Sequence, residues 1–72
     1  METFEMLKEL LVTKTSETIL ASATMEDLRI DSLDLVEVLL TVEERLSIVF
    51  EDEELIKLKS VQDVVDLINS KI

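Results

Sequence analysis

Several residue types are missing from this chain of 72 residues, and each absence removes a class of structure or chemistry. The chain has no cysteine, which excludes disulfides and thiolate metal sites. It has no histidine, which excludes histidine general bases and histidine-ligated metals. It also has no glycine and no proline. Because the favoured turns of tight hairpins need residues such as glycine, this composition favours helices.

Basic residues are scarce, since 7 lysines and arginines stand against 17 acids, giving a net charge of −10. Nucleic acids and anionic membrane surfaces are bound through clustered cations, so we expect neither as a partner. The expected partner is a protein with a basic patch, because opposite charges speed the encounter. The apolar share of 47% is too high for a disordered acidic tail, so the chain is predicted to fold.

Long hydrophobic runs are absent as well. No stretch approaches the roughly 20 apolar residues of a membrane span, and Glu2, Glu5 and Lys8 interrupt the start, where a signal peptide would be apolar. Together with the missing cysteines, these features predict a cytoplasmic protein. A chain of this length is one domain at most, and we expect residues 1–72 to form a single domain that remains a monomer.

Apolar periodicity predicts an all-α fold, a small bundle of three main helices and one short helix. Apolar residues recur at intervals of three and four along most of the chain. No repeat or low-complexity tract interrupts the pattern. The predicted helices span residues 2–14, 32–46, 52–58 and 60–70.

The predicted helix starts carry residues that suit caps. Asp31 or Ser32 is a good N-cap for the second helix, which has the strongest pattern. Asp52 is expected to cap the short helix. Ser60, followed three residues later by Asp63, makes a start that resembles a capping box.

Residues 15–30 are rich in serine and threonine and lack a steady period, so we predict a loop. A loop of this length in so small a domain is usually functional or packed by its own side chains. We expect apolar side chains to anchor it in the core. These anchors are Ile19, Leu20, Met25, Leu28 and Ile30.

The second helix is predicted to have a core side and an acidic side, from a rotation of 100° per residue. The core arc comprises Leu35, Leu39, Val42 and Leu46, with Val36 and Val38 at its margins. The acidic stripe comprises Asp34, Glu37, Thr41 and Glu44. Leu33 and Leu40 border this stripe and have no obvious core role.

The acidic stripe has two interpretations. Most such stripes are simply solvated faces. Here, however, nine acids and one base lie between Asp31 and Glu54, more negative charge than solubility needs. Leu33 and Leu40 add apolar anchors beside the charges, the arrangement of a protein-docking surface.

Ser32 lies between acids at the start of the second helix. A serine nucleophile needs an adjacent base, and the nearest lysines in sequence are Lys14 and Lys57. The acids supply oxygen ligands, but without a glycine-containing calcium loop we expect only weak divalent binding and no metal site. Two interpretations remain. Ser32 is a plain N-cap, or it is modified by another enzyme, since a phosphodiester there would meet the positive end of the helix dipole.

The stretch D-S-L-D-L-V-E at residues 31–37 resembles the acyl carrier protein family, whose signature is Asp-Ser-Leu at the start of its second helix. The resemblance covers nearly the whole chain. Residues 21–28 resemble the segment before the signature, 51–58 the short third helix and 60–69 the last helix. The resemblance implies that Ser32 carries 4′-phosphopantetheine through a phosphodiester, that the terminal thiol of this arm holds acyl groups as thioesters, and that the protein itself catalyses nothing.

The resemblance also implies partners: a phosphopantetheinyl transferase (holo-synthase), and acyl-transferring and synthase enzymes with basic patches. The implied acidic contacts are Asp31, Asp34, Glu37, Glu43 and Glu44, and the implied apolar contacts are Leu33 and Leu40. The implied acyl pocket lies between the second and third helices. Its residues would be Val42, Leu46, Phe50, Leu55 and Leu58.

Three features depart from the family pattern. Arg29 stands where the family usually has glycine, Glu51 stands where it usually has proline, and the first loop is shorter. We interpret the chain as a specialised carrier for fatty-acid or polyketide-type biosynthesis. The alternatives are an aminoacyl or peptidyl carrier, a D-alanyl carrier, and an unmodified adaptor bundle in which Ser32 is only a cap. Asp31 and the acidic second helix favour acyl over peptidyl cargo.

Overall fold

The computed structural model describes residues 2–72, and these residues form four α-helices. The predicted all-α architecture is confirmed. Met1, which the single-domain prediction includes, lies outside the described residues. The helices are α1 (Glu2–Leu11), α2 (Ser32–Leu46), α3 (Asp52–Leu55) and α4 (Val61–Lys71). The first helix packs against both α2 and α4.

The bounds of α2 agree with the prediction, whereas α1 and α3 are shorter than predicted. Helix α1 ends at Leu11, and the chain then continues as a turn in which the Lys14 N–H donates to the Leu11 carbonyl at 2.9 Å. Helix α3 is a single turn, and the prediction that Asp52 caps it is wrong. Its N-cap is Glu51, whose backbone N–H donates to the Glu54 carboxylate at 2.8 Å. A proline at this position, usual in the family, could not make that bond.

The start of α4 confirms the predicted capping box. The Ser60 hydroxyl accepts from the Asp63 N–H at 3.2 Å, and the Asp63 carboxylate accepts from the Ser60 N–H at 3.1 Å. The same carboxylate accepts from the Lys59 N–H at 3.1 Å. These backbone donors stabilise the charged form and lower the pKa of Asp63. The box fixes where α4 begins and therefore how the preceding loop reaches it.

The core is aliphatic apart from one buried phenylalanine, and it draws on the long loop as well as on the helices. The loop anchors Ile19, Met25, Leu28 and Ile30 are buried as predicted, but the prediction for Leu20 is wrong, since that side chain is 56% exposed. Residues 18–20 belong to no helix, and in this irregular segment Ile19 faces the core while Leu20 faces solvent. The buried residues are Leu7, Leu11, Ile19, Ala23, Met25, Leu28, Ile30, Val38, Leu39, Val42, Phe50, Val61, Val64, Val65 and Ile68.

The core arc of α2 differs from the predicted one at its margins and ends. Leu39 and Val42 are buried as predicted, and Val38 is buried with them. Val36, on the other margin, is exposed. Leu35 and Leu46 are only half-buried, because they lie near the two ends of the helix, where fewer neighbours cover them.

The loop before α2 ends in a helical turn that sets the position of the helix start. Thr24 and Asp27 cap the turn reciprocally, at 2.9 and 3.1 Å. The turn closes with Arg29 in the left-handed conformation, at φ 58°. The Arg29 N–H donates to Glu26 and the Ile30 N–H donates to Met25, which is the bond pattern of a Schellman motif.

Backbone hydrogen bonds tie this loop to the start of α4. The Met25 N–H donates to the Lys59 carbonyl, and the Val61 N–H donates to the Ala23 carbonyl, both at 2.9 Å. An isolated antiparallel bridge pairs Thr24 with Ser60. The loop is therefore held firmly at the point from which the chain enters α2.

Candidate functional site

The N-terminus of α2 presents Ser32 to solvent. The N-cap is Asp31, whose backbone is extended and whose carboxylate accepts from the Asp34 N–H at 2.9 Å. Ser32 is the first residue of the helix and is exposed. The interpretation of Ser32 as the N-cap is therefore wrong, and its hydroxyl is not needed to hold the helix start.

This position suits a covalently attached phosphodiester. The first N–H groups of a helix and the positive end of its dipole favour an anion there. An exposed side chain at the first helical position also leaves room for a long substituent outside the core. The neighbouring carboxylates of Asp31 and Asp34 have the opposite effect, since they repel an anion and so disfavour a phosphate that is not covalently held.

The structure gives Ser32 no activated base among residues 2–72. Lys14, the nearest lysine in sequence, forms an ion pair with Glu37 instead. The hydrogen bond that the Lys14 ammonium donates to the Glu37 carboxylate raises the pKa of Lys14 above its ordinary value, so the ammonium stays protonated at neutral pH. An amine in that state cannot accept the serine proton, so Lys14 does not serve Ser32 as a general base.

One face of α2 is an exposed ridge of apolar and acidic side chains. Leu33 is 76% exposed and Leu40 is 53% exposed, both in agreement with the surface position predicted for them. Val36, 40% exposed, lies between them at the spacing of three and four residues that aligns side chains on a helix. We call the exposed residues of this face the α2 ridge: Leu33, Val36, Glu37, Leu40 and Glu44.

The five acids predicted as partner contacts are not equivalent in the structure. Asp31, Glu37 and Glu44 are exposed, and Asp34 is half-buried. Glu43 is half-buried and engaged internally, because its carboxylate accepts from the Phe50 N–H at 2.7 Å. Glu43 therefore holds the α2–α3 connection as well as contributing charge.

A pocket of about 210 Å³ opens between α2 and α3. Of the five residues predicted for the acyl pocket, Phe50 and Leu55 line it. Val42 is fully buried in the core, and Leu46 and Leu58 border other surface depressions. The lining comprises Val36, Leu39, Leu40, Glu43, Phe50, Asp52 and Leu55.

Besides Leu39, which was predicted only as a core residue, three residues of the site escaped the sequence interpretation. Val36 could have been found from its spacing to Leu33 and Leu40. Lys14 and Asp52 gave no comparable signal, because Lys14 is 23 positions from Glu37 and Asp52 belongs to another helix. Only the packing of separate segments brings them to α2.

The described part of the chain contains neither a metal-binding cluster nor a membrane-spanning helix. Within residues 2–72, no group of three or more acids is placed so that it could hold a metal ion. None of the helices in this part is long and apolar enough to cross a membrane.

Negative charge is poorly compensated, which makes stability dependent on salt. Within residues 2–72, ion pairs join Lys14 to Glu37 and Lys71 to Glu54, against 17 acids in the chain. We expect added NaCl or Mg²⁺ to raise the melting temperature, because counterions screen the repulsion. Relief of about 1 kcal/mol would raise it by roughly 4–8 °C. Thermal melts by circular dichroism, at several concentrations of each salt, measure the effect. A melting temperature that stays constant or falls would contradict it.

Comparison with known proteins agrees with this geometry. The family model described as "Phosphopantetheine attachment site" matches residues 5–68. By class, then, the chain is a helical carrier protein with a covalent 4′-phosphopantetheine cofactor. An acyl carrier protein from Helicobacter hepaticus is 43% identical over 74 residues, covering 97% of both chains. The chain belongs to the acyl carrier protein family.

Further relatives support this assignment. An acyl carrier protein from Coprothermobacter proteolyticus is 41% identical over 66 residues, covering 92% of this chain and 80% of the relative. One from Thermosynechococcus vestitus is 53% identical over 47 residues, covering 65% of this chain and 58% of the relative. The crystal structure of an acyl carrier protein from Thermotoga maritima matches with a TM-score of 0.82 at 26% identity, covering 99% of this chain and 91% of that one.

Proposed function

We propose that Ser32 carries the 4′-phosphopantetheine arm and that the protein tethers acyl intermediates for fatty-acid or polyketide-type biosynthesis without catalysing a reaction itself. The observation that carries the proposal is the cap of α2. Asp31 satisfies the helix start and leaves the exposed Ser32 hydroxyl available for attachment. When attached, the arm supplies a terminal thiol that holds acyl groups as thioesters.

Attachment needs a separate transferase, because the chain offers the hydroxyl but no base. The Ser32 oxygen would form the new bond to the phosphorus that bears pantetheine in coenzyme A, while the pyrophosphate P–O bond breaks and 3′,5′-adenosine diphosphate leaves. The serine proton would pass to a group of the transferase. The positive end of the α2 dipole then stabilises the phosphodiester charge. Asp31, by holding the N-cap conformation, keeps Ser32 at the first helical position.

The α2 ridge is the proposed contact surface for the transferase and for synthase enzymes. Leu33, Val36 and Leu40 would enter apolar pockets at the centre of the interface. Glu37 and Glu44, with Asp31 beside the attachment site, would meet basic side chains of the partner. Asp34 and Glu43 are less accessible, so we assign them weaker contributions than the sequence implied.

The pocket between α2 and α3 is the proposed acyl site. Phe50 and Leu55 remain from the predicted set, and Val36, Leu39 and Leu40 complete its apolar lining. Each methylene removed from water there would contribute about 0.8 kcal/mol. Val42 is buried in the core, and neither it nor Leu46 or Leu58 lines the pocket.

Replacing Ser32 with alanine is expected to abolish modification while leaving the fold intact. Incubation with coenzyme A, Mg²⁺ and a broad-specificity phosphopantetheinyl transferase should add the mass of one phosphopantetheine to the unaltered protein and none to Ser32→Ala. Intact-protein mass spectrometry measures the gain. Ser22→Ala, a change at another exposed serine, is the matched control and should still be modified.

The free energy of unfolding distinguishes an N-cap from an attachment residue that is not needed for stability. Ser32→Ala should change the free energy of unfolding by less than about 0.5 kcal/mol, as ordinary surface substitutions do. Asp31→Ala should cost about 1 kcal/mol, because it removes the N-cap. Failure of several transferases to modify the unaltered protein would refute the proposed function.

A further inference from the structure

Lys14 forms an ion pair with one of the acids on the α2 ridge. It follows α1 in the chain, and its ammonium donates to the Glu37 carboxylate. The Lys14 side chain is 25% exposed, whereas that of Glu37 is 63% exposed, so the lysine is the more sheltered partner and the carboxylate the more accessible one. A partner enzyme can therefore reach the Glu37 carboxylate while Lys14 is bound to it.

The surroundings of Lys14 place it along the flank of α2. A shallow pocket of about 180 Å³ lies between the end of α1 and this flank. Thr41, one helical turn beyond Glu37, borders the pocket, and its hydroxyl donates to the Glu37 carbonyl at 3.2 Å. The pocket lining comprises Leu10, Thr13, Lys14, Glu37, Val38 and Thr41.

The ammonium also lies in the field of the acids around the attachment serine. Glu37 has the largest effect in raising the pKa of Lys14, and the charges of Asp34 and Asp31 raise it further. The positive charge thus cancels part of the negative potential at the end of the ridge where Ser32 lies. In a chain of net charge −10, this cancellation is local and falls on the surface proposed for docking.

We propose that Lys14 is a built-in competitor of basic partner enzymes: it holds Glu37 in the free protein and is displaced when a lysine or arginine of the partner takes its place. The inference rests on the proposed docking function of the ridge. The competing occupant is a cationic side chain, because only a cation gains from the same carboxylate. An ion pair this exposed is weak. The cost of breaking it therefore lowers the affinity for the partner without preventing docking.

A weak internal competitor suits a carrier protein that must dissociate from each enzyme once the reaction is complete. Differences in affinity between related complexes lie mostly in the dissociation rate. When the partner's cation releases Glu37, Lys14 recaptures it and opposes rebinding. The pair therefore lowers the affinity of each enzyme for the ridge and favours its separation from the carrier.

The test compares removal of Lys14 with removal of a lysine elsewhere. Lys14→Gln should raise kcat/KM for phosphopantetheine transfer by about two- to five-fold at low ionic strength, mainly through a lower KM. Lys8→Gln is the matched control, since it makes the same charge change on the exposed surface of α1. Equal rates for the two variants would overturn the inference.

A double-mutant cycle assigns the effect to Glu37. In a Glu37→Gln background, Lys14→Gln should have a smaller effect than in the unaltered protein, because no carboxylate remains at position 37 to be released and only the field of Lys14 at Asp31 and Asp34 is lost. An undiminished effect of Lys14→Gln in that background would refute competition for Glu37. Modification of the unaltered protein with equal rates for Lys14→Gln and Lys8→Gln refutes only this inference, whereas absence of modification refutes the proposed function.

Discussion

Replacing both Glu37 and Glu44 with lysine is expected to slow phosphopantetheine transfer to Ser32 by roughly 10- to 100-fold at low salt. The two side chains are exposed on the same face of α2, seven residues apart, and they border Leu33 and Leu40. The double substitution turns two attractive contacts into repulsive ones. The change at position 37 also removes the carboxylate that pairs with Lys14 and places a second lysine beside it.

The matched control is Glu5→Lys with Glu9→Lys. These two exposed acids of α1 give the same change of net charge away from α2. Initial rates of transfer, measured by mass spectrometry over a series of NaCl concentrations, separate local docking from the overall field. The deficit of the ridge variant should shrink as salt rises, because the screening length falls to about 3 Å at 1 M. Equal deficits in the two double variants would show that the acids of the ridge are only a solvated face.

Placing glycine at positions 29 and 47 is expected to raise the melting temperature by roughly 5–15 °C. Arg29 and Ser47 have positive φ, at 58° and 55°, in the left-handed region where a Cβ atom is costly. Relief of this strain should outweigh the greater freedom of glycine in the unfolded chain by about 0.5–1 kcal/mol at each site. Thermal melts by circular dichroism measure the change.

The two effects should add. Arg29 precedes α2 and Ser47 ends it, and a helix of 15 residues separates them by about 22 Å. Arg29→Ala and Ser47→Ala are the controls, since they shorten the side chains but keep the Cβ atom. If the alanine variants gain as much as the glycine variants, the gain comes from the lost side chain and not from the relaxed backbone.

The position of Arg29 also explains one departure from the family pattern. The turn over residues 24–28 must close with a left-handed residue before the chain enters α2, and glycine fits that conformation without strain. This protein places arginine there. Within the described residues the fold tolerates the strain, because the turn is capped at its start and bonded to the beginning of α4.

Local sequence was enough to predict α2 and its start. The apolar spacing gave the bounds of the helix, and the choice of caps was narrowed to Asp31 and Ser32. A cap depends on one side chain and an N–H three residues away, so it is a short-range property. The choice between the two residues, which frees the Ser32 hydroxyl, needed the backbone conformation of Asp31.

The α2 ridge and the pocket between α2 and α3 were predicted less completely. Sequence spacing identified Leu33, Leu40 and Glu37 as exposed. It could not show that Lys14 holds Glu37 or that Glu43 bonds to the Phe50 N–H, because these contacts join segments whose separation in space is set by packing. The membership of the pocket between α2 and α3 differs from the prediction for the same reason.

The sequence by itself determined the helical class, the acidic character and the serine that begins α2, because composition, periodicity and capping act over a few residues. Only the tertiary structure decided which carboxylates stay available to a partner and which are already engaged. Availability depends on the neighbours that folding brings from elsewhere in the chain. In this protein those neighbours are the end of α1 on one flank of α2 and the α2–α3 connection on the other.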